Sequence, residues 1–177
     1  RHFGSGIVER TPTGAARAIV EQLPQCVSTL SGLGALAKLG DDSAPVREAV
    51  RRLAEDDKSG NVLNRAIATL CALRDPASDW FATAYTNRAL TAESRGACLL
   101  AISRAKKEKA RVLLWPVVTN GLATADASTI DAIAVAADEA ITETLVRDFE
   151  SADEAEVVKL AQALTATRNE KARETMN

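Results

Sequence analysis

Few residues in this chain have the type and spacing to do chemistry. The sole histidine, His2, lies in the opening RHFGSGIVERTPTG, a stretch without periodicity that reads as an arm. With no second histidine, a His-based zinc site or a Ser-His or Cys-His nucleophile pair is not expected in the ordered part. Cys26, Cys71 and Cys98 are odd in number, far apart and without CxxC spacing. They read as reduced, buried small hydrophobes, which favours an intracellular compartment. The Gly4-Ser5-Gly6 triplet is too short for a phosphate loop and lacks the preceding strand. Three carboxylate pairs, Asp56/Asp57, Asp138/Glu139 and Asp153/Glu154, stand at expected helix ends. Acid–base catalysis needs two carboxyls in different environments, so these read as turns favoured by the helix dipole. The expectation is a protein that is not an enzyme and uses no cofactor or metal.

Charge is more informative. The net charge of −2 argues against a chain built to coat nucleic acid. Its distribution is uneven: residues 44–111 hold 13 Lys/Arg against 8 Asp/Glu, and residues 112–177 hold 5 against 12. Such polarity can orient a partner. Within the basic part, Arg65 and Arg95 fall at matching early positions of two helical segments, accompanied by Asn61, Asn64 and Glu93. A guanidinium fork suits a carboxylate or phosphate, although pairing with neighbouring acids would absorb either arginine equally well. Trp80, Phe81 and Tyr85 form the one aromatic cluster and read as core; Trp115 beside Pro116 reads as packing at a kink.

These residues must be positioned by helices. The 177 residues suit one domain, and 46% are apolar while only 3% are aromatic, with Ala supplying much of the total. Strand-like alternation is missing. Ten segments keep helical spacing, from a start near Thr11-Pro12 to SADEAEVVKLAQALTATR. In DDSAPVREAVRRLAEDD, for example, Val46, Ala49, Val50, Leu53 and Ala54 form a stripe, while Arg47, Arg51 and Arg52 lie mostly off it. Gly32 and Gly34 weaken their helix and point to a bend or a closely approaching neighbour. The aromatic segment DWFATAYTNRAL reads as helical through Ala89, and NEKARETMN as the first turns of a further helix. The longest apolar run, VLLWPVV at 112–118, is too short to span a membrane, and no signal peptide opens the chain. The only methionine is Met176, so a processed chain or a piece of a larger protein is expected.

Tight links (GDDS, RDPA, AKKE, ADEA, TRNE) alternate with looser ones (DKSGN, LTAES, ATADAS, ESADEA). Leu39, Leu73, Ile102, Val135 and Leu164, near successive helix ends, are 34, 29, 33 and 29 residues apart, a period typical of stacked helix pairs. On these residues a family resemblance rests. LNRAIATLCALRD, ESRGACLLAISRAK and AEVVKLAQALTATRN are similar to second helices of HEAT-like repeats, and Asp41 with Pro45-Val46-Arg47 resembles that family's Asp…Val-Arg turn. The resemblance covers roughly residues 13–177, leaving 1–12 as arm or linker. It implies an all-α, right-handed α-solenoid of about five stacked antiparallel helix pairs; a non-repeating orthogonal helical bundle is the alternative. Comparison down the chain makes DDSAPVREAVRRLAEDD the opening helix of a pair completed by NVLNRAIATLCALRD.

The resemblance also implies that second helices line a concave side, placing Asn61, Asn64, Arg65, Glu93 and Arg95 in a partner groove. The expected function is a protein-binding scaffold, adaptor or regulatory domain, its partner another protein or protein segment, possibly acidic. Nucleic-acid binding through the basic middle, as in some HEAT-like DNA-repair glycosylases, and a purely structural spacer are the alternatives.

Overall fold

A computed structural model describes residues 12–23, 29–57 and 60–167. The readings made for His2, Thr11, Cys26 and NEKARETMN lie outside the described residues. Within them the protein has ten helices and no strand: α1 (Gly14–Gln22), α2 (Thr29–Leu39), α3 (Ala44–Glu55), α4 (Asn61–Ala72), α5 (Ser78–Tyr85), α6 (Ala92–Ala105), α7 (Lys107–Thr119), α8 (Ala127–Ala136), α9 (Glu139–Ser151) and α10 (Glu154–Thr167). The all-helical class expected from the Ala- and Leu-rich periodicity is what the chain adopts. No described helix is long and apolar enough to cross a membrane.

Two compact units make up the chain, Arg1–Asp75 and Pro76–Asn177. In the first, α1 packs against α2 and α3, and α4 packs against α2 and α3. Its core is aliphatic, with Leu33, Leu36, Val50, Ala66, Ile67 and Leu70 fully buried. Thr13 caps α1, its hydroxyl accepting from the Ala16 N–H at 3.3 Å. At the start of α3 the N-cap residue, Ser43, makes no side-chain cap bond. The Asp41 carboxylate acts instead, accepting from Ser43 N at 3.1 Å and from Thr13 N at 2.6 Å. One acid thereby joins the beginnings of α1 and α3.

The far end of this unit is closed by a second acid. Helix α4 ends with Arg74 at φ 52°, where the Arg74 and Asp75 amides bond back to the Cys71 and Leu70 carbonyls. This is the reversal that glycine usually makes, here imposed on an arginine. It turns Asp75 inward, where its side chain is fully buried. Arg51 Nη1 donates to Asp75 Oδ2 at 2.5 Å, and Arg47 Nε lies 3.9 Å from Oδ1. Arg47 and Arg51, two of the three arginines read as lying mostly off the apolar stripe of α3, are thus only 20% exposed and tie α3 to the end of α4. Burial alone would lower the Arg51 pKa, but the hydrogen bond to Glu48 and the Asp75 charge raise it. Glu48 in turn is lowered by hydrogen bonds from Arg51 and Arg52.

In the second unit α6 packs against α5, α7 and α8; α10 packs against α8 and α9; and α7 also meets α8 and α9. Helix α6 is buried almost all round, with every residue from Gly96 to Ser103 inside, which accounts for its lack of a polar face. Phe81 is fully buried and meets Trp80 edge-on at 5.3 Å, while Trp80 and Tyr85 are half-buried. Two expectations need correction. Helix α5 stops at Tyr85 rather than Ala89, because Asn87 Oδ1 accepts from Ala89 N and Arg95 donates to the Tyr85 and Asn87 carbonyls. Trp115 is not packed away: α7 continues through Pro116 to Thr119, and the indole stays 43% exposed.

Removing Asp75 leaves Arg51 and Arg47 half-buried beside an empty site, so Asp75→Ala should cost about 2–4 kcal/mol in urea unfolding. For Asp41, partial burial would raise the pKa, but the hydrogen bonds from Ser43 and Thr13 hold it down to about 2, against 3.8 for a free carboxyl. A depressed folded-state pKa stabilises in full above the unfolded value and fades as pH falls through the folded one. The stability difference between wild type and Asp41→Asn should accordingly shrink between pH 3.8 and about 2, and stay constant above.

Candidate functional site

The sequence-derived residues divide between the units: Asn61, Asn64 and Arg65 on α4 of the first, Glu93 and Arg95 on α6 of the second. Helix α4 begins after Gly60, whose φ of 78° only glycine adopts cheaply. Having no side chain, Gly60 cannot cap, and Asp57 Oδ2 accepts from the Val62 and Leu63 amides instead, at 2.8 and 3.1 Å. Asn64 Nδ2 donates back to the Gly60 carbonyl at 2.7 Å. These bonds fix the first turn of α4, which projects Asn61 and Arg65, four residues apart and both exposed.

Arg65 has an unusual seat. Its guanidinium lies against Gly34 of α2, in the space a Cβ at that position would fill. Thr69, one turn further along α4, donates to the Leu33 carbonyl at 3.1 Å and locks the two helices together. Leu30, one turn before Gly34, is 46% exposed. The result is a face with a guanidinium laid across a helix backbone beside an apolar side chain. No hydrogen bond or ion pair engages that guanidinium among the described residues. The closely approaching neighbour that Gly32 and Gly34 call for is therefore real at both: Leu23 Cδ2 lies 2.7 Å from where a Cβ on Gly32 would stand, and Arg65 covers Gly34.

Arg95 is placed differently. Its Nη1 and Nη2 donate to the Tyr85 and Asn87 carbonyls at 2.9 and 3.0 Å, and its guanidinium lies 5.9 Å from the Tyr85 ring centroid. It closes the end of α5, and the carbonyls occupy donors that a ligand would need. Glu93 is exposed in the first turn of α6, where the helix dipole favours an acid.

Other cations of the basic middle also have acids of their own. Arg52 bonds Glu48 at 3.0 Å. Lys106 and Lys109 share Asp79 at 3.2 and 2.9 Å and hold its pKa below the usual range. Arg111 reaches the Ala136 carbonyl at 2.8 Å and Asp138 at 3.4 Å. The carboxylate pairs act at helix starts, as their sequence positions suggested: Asp57 as above, Asp138 from Ile141 N at 3.0 Å, Asp153 from Glu156 N at 3.0 Å. Among the described residues no group of three or more His, Cys, Asp and Glu side chains could hold a metal ion.

The sequence marks Gly34 as a place of bend or close approach, but nothing in it says which side chain will cover the glycine. The same device recurs in the second unit, where Gly96 of α6 is covered by the Asp126 carboxylate and Gly121 by Glu156. Asp126 Oδ1 caps α8 through Thr129 N at 2.7 Å, and its Oδ2 is buried without a hydrogen-bond partner. Compared with known proteins, the chain matches no family model, no curated protein and no solved structure.

Gly34 and Gly96 should respond oppositely to a methyl group. In Gly34→Ala the displaced atoms are the tip of a flexible side chain, so thermal unfolding should show neutral or improved stability, up to about 1 kcal/mol from helix propensity. Gly96→Ala drives a Cβ into a short, capping carboxylate and should cost about 1–3 kcal/mol.

Proposed function

We propose that the chain is a protein-interaction module, a scaffold, adaptor or regulatory domain whose helices stack in HEAT-like pairs and which binds an acidic protein segment on its second-helix side. The packing supports the pairing: α1 with α2 and α3 with α4 in the first unit, then α5 with α6, α7 with α8 and α9 with α10 in the second. Second helices also meet one another, α2 with α4, and α6 with α8 with α10, as a stacked array requires. A non-repeating bundle remains the alternative for the same helices.

The observation that carries the binding reading is Arg65. An exposed guanidinium seated on Gly34 loses less freedom on binding than one waving in solvent, and its planar fork matches a carboxylate. Leu30 adds apolar contact one turn from that seat. Asn61 and Asn64 precede Arg65 on the same helix and belong to the proposed surface. Glu93 and Arg95 belong to the proposed surface in the second unit, with Arg95 as its support and Glu93 as its exposed group. The pairing of Arg47, Arg51, Arg52, Lys106, Lys109 and Arg111 with acids or carbonyls weighs against the nucleic-acid alternative, since phosphate binding draws on unpaired cations.

Peptides selected by the full chain from a random display library should be rich in Asp and Glu. Their affinity should fall about tenfold with Arg65→Ala, as for a central anchor. Arg17→Ala, at an exposed arginine on α1, should leave it unchanged. Gly34→Ala, which lifts the guanidinium off its seat without loss of fold, should weaken binding by a smaller factor. Peptides with no acidic bias, or binding indifferent to Arg65→Ala, would sink the reading. Retention on DNA or RNA at low salt, abolished by Arg65→Glu with Arg95→Glu, would replace it with the nucleic-acid alternative.

A further inference from the structure

The seat of Arg65 on Gly34 is one point on a longer row. On α2, Leu30, Gly34 and Lys38 follow one another at four-residue spacing and share one side of the helix. Each step along that row is about 6 Å. Leu30 is exposed at one end, the Arg65 guanidinium covers the middle, and Lys38 is exposed at the other end. Lys38 suits the last turn of α2, where the helix dipole favours a base. Among the described residues no acid pairs with it. The acids nearest in sequence to the two cations, Asp41 after α2 and Asp57 before α4, are committed to backbone amides. The row therefore offers one apolar contact and two unpaired cations in a fixed order.

The surface beside the row is low. On α4, Ala68 and Ala72 follow Arg65 at helical spacing and are exposed, so they set only methyl groups beside the guanidinium. The bond from Thr69 to the Leu33 carbonyl holds α2 and α4 close together. Both helices bond their mid-helix N–H and C=O groups internally, and the described residues hold no strand whose edge could accept another. An extended segment laid on this face would find no backbone partner, whereas a helix arrives with its own hydrogen bonds made. A helix also repeats its side chains one turn apart, at the step of about 6 Å that the row itself repeats.

On the reading of Arg65 as an anchor for acidic segments, we propose that the segment taken up by this face is an amphipathic helix. It carries one apolar and two acidic side chains in a row, one turn apart, read in order by Leu30, Arg65 and Lys38. Each cation then meets an acid of its own, and the methyl groups of α4 let the partner helix approach closely.

Fluorescence anisotropy with the full chain and lactam-bridged helical peptides of about four turns tests this. Peptides with Leu, Glu and Glu at successive turns are made in both orders along the chain. One order should bind at least about tenfold more tightly than a peptide of the same composition with its acids on opposite faces. Lys38→Ala should weaken that peptide about two- to fivefold, the range of an exposed ion pair, and should not affect the version whose outer Glu is Gln. Leu30→Ser should weaken it by a similar factor, and not the version whose Leu is Ala. Both substitutions fall at exposed positions, so circular dichroism should be unchanged. A proline at the centre of the unbridged peptide should abolish binding. Failure of every peptide to bind, or binding indifferent to Arg65→Ala, overturns the anchor role of Arg65 and the helical partner together. Binding that needs Arg65 but ignores Lys38 and Leu30, accepts the acids on opposite faces, or tolerates the proline overturns the helical partner alone.

Discussion

The ten described helices, each of only 8–14 residues, must have their ends satisfied within links of a few residues, and the rest of the structure follows from that constraint. In a helix as short as α5, roughly half of the backbone donors and acceptors lie in the unsatisfied first and last turns. The chain meets this demand with acids in its links. Asp41, Asp57, Asp126, Asp138 and Asp153 each accept backbone N–H groups at a helix start. Carboxylates placed for this purpose then attract cations from neighbouring helices, as Asp138 attracts Arg111. Much of the charge on this protein is consumed by its own architecture.

Asp75 extends the same logic into the core. It stands in a link but is turned inward by the left-handed Arg74, and its carboxylate is fully withdrawn from water. The fork of Arg51 compensates by direct hydrogen bonding while also holding Glu48. A buried ion pair is weak evidence of net stability, but it fixes geometry, since either partner alone is costly. Here it specifies where the end of α4 lies relative to α3. Glycine supplies the complementary device. Gly34, Gly96 and Gly121 leave room for polar side chains to lie directly on a neighbouring backbone, which brings small-residue helices together without an aromatic core.

The legible part of the fold was the part set by local period and composition. All ten helical segments appear among the described residues, and α4 packs against both α2 and α3. Boundaries were missed where a distant group intervened: α5 was read too long because Arg95, ten residues beyond Tyr85, decides where it ends. The site was legible only in outline. Arg65 and Arg95 look equivalent in sequence, both early in helices rich in Ala and Leu. One rests on a glycine with its donors open, and the other is bound to two carbonyls.

By itself, then, the sequence determined the helical class, the approximate helices and the helix-end role of acids such as Asp57, Asp138 and Asp153, because each of these depends on residues within a few positions of one another. Tertiary structure alone decided which arginines are spent on Asp75 and which remain open, and that Trp115 faces solvent. Those outcomes depend on which helix arrives as neighbour, and a glycine or a guanidinium carries no local mark of what will lie across it.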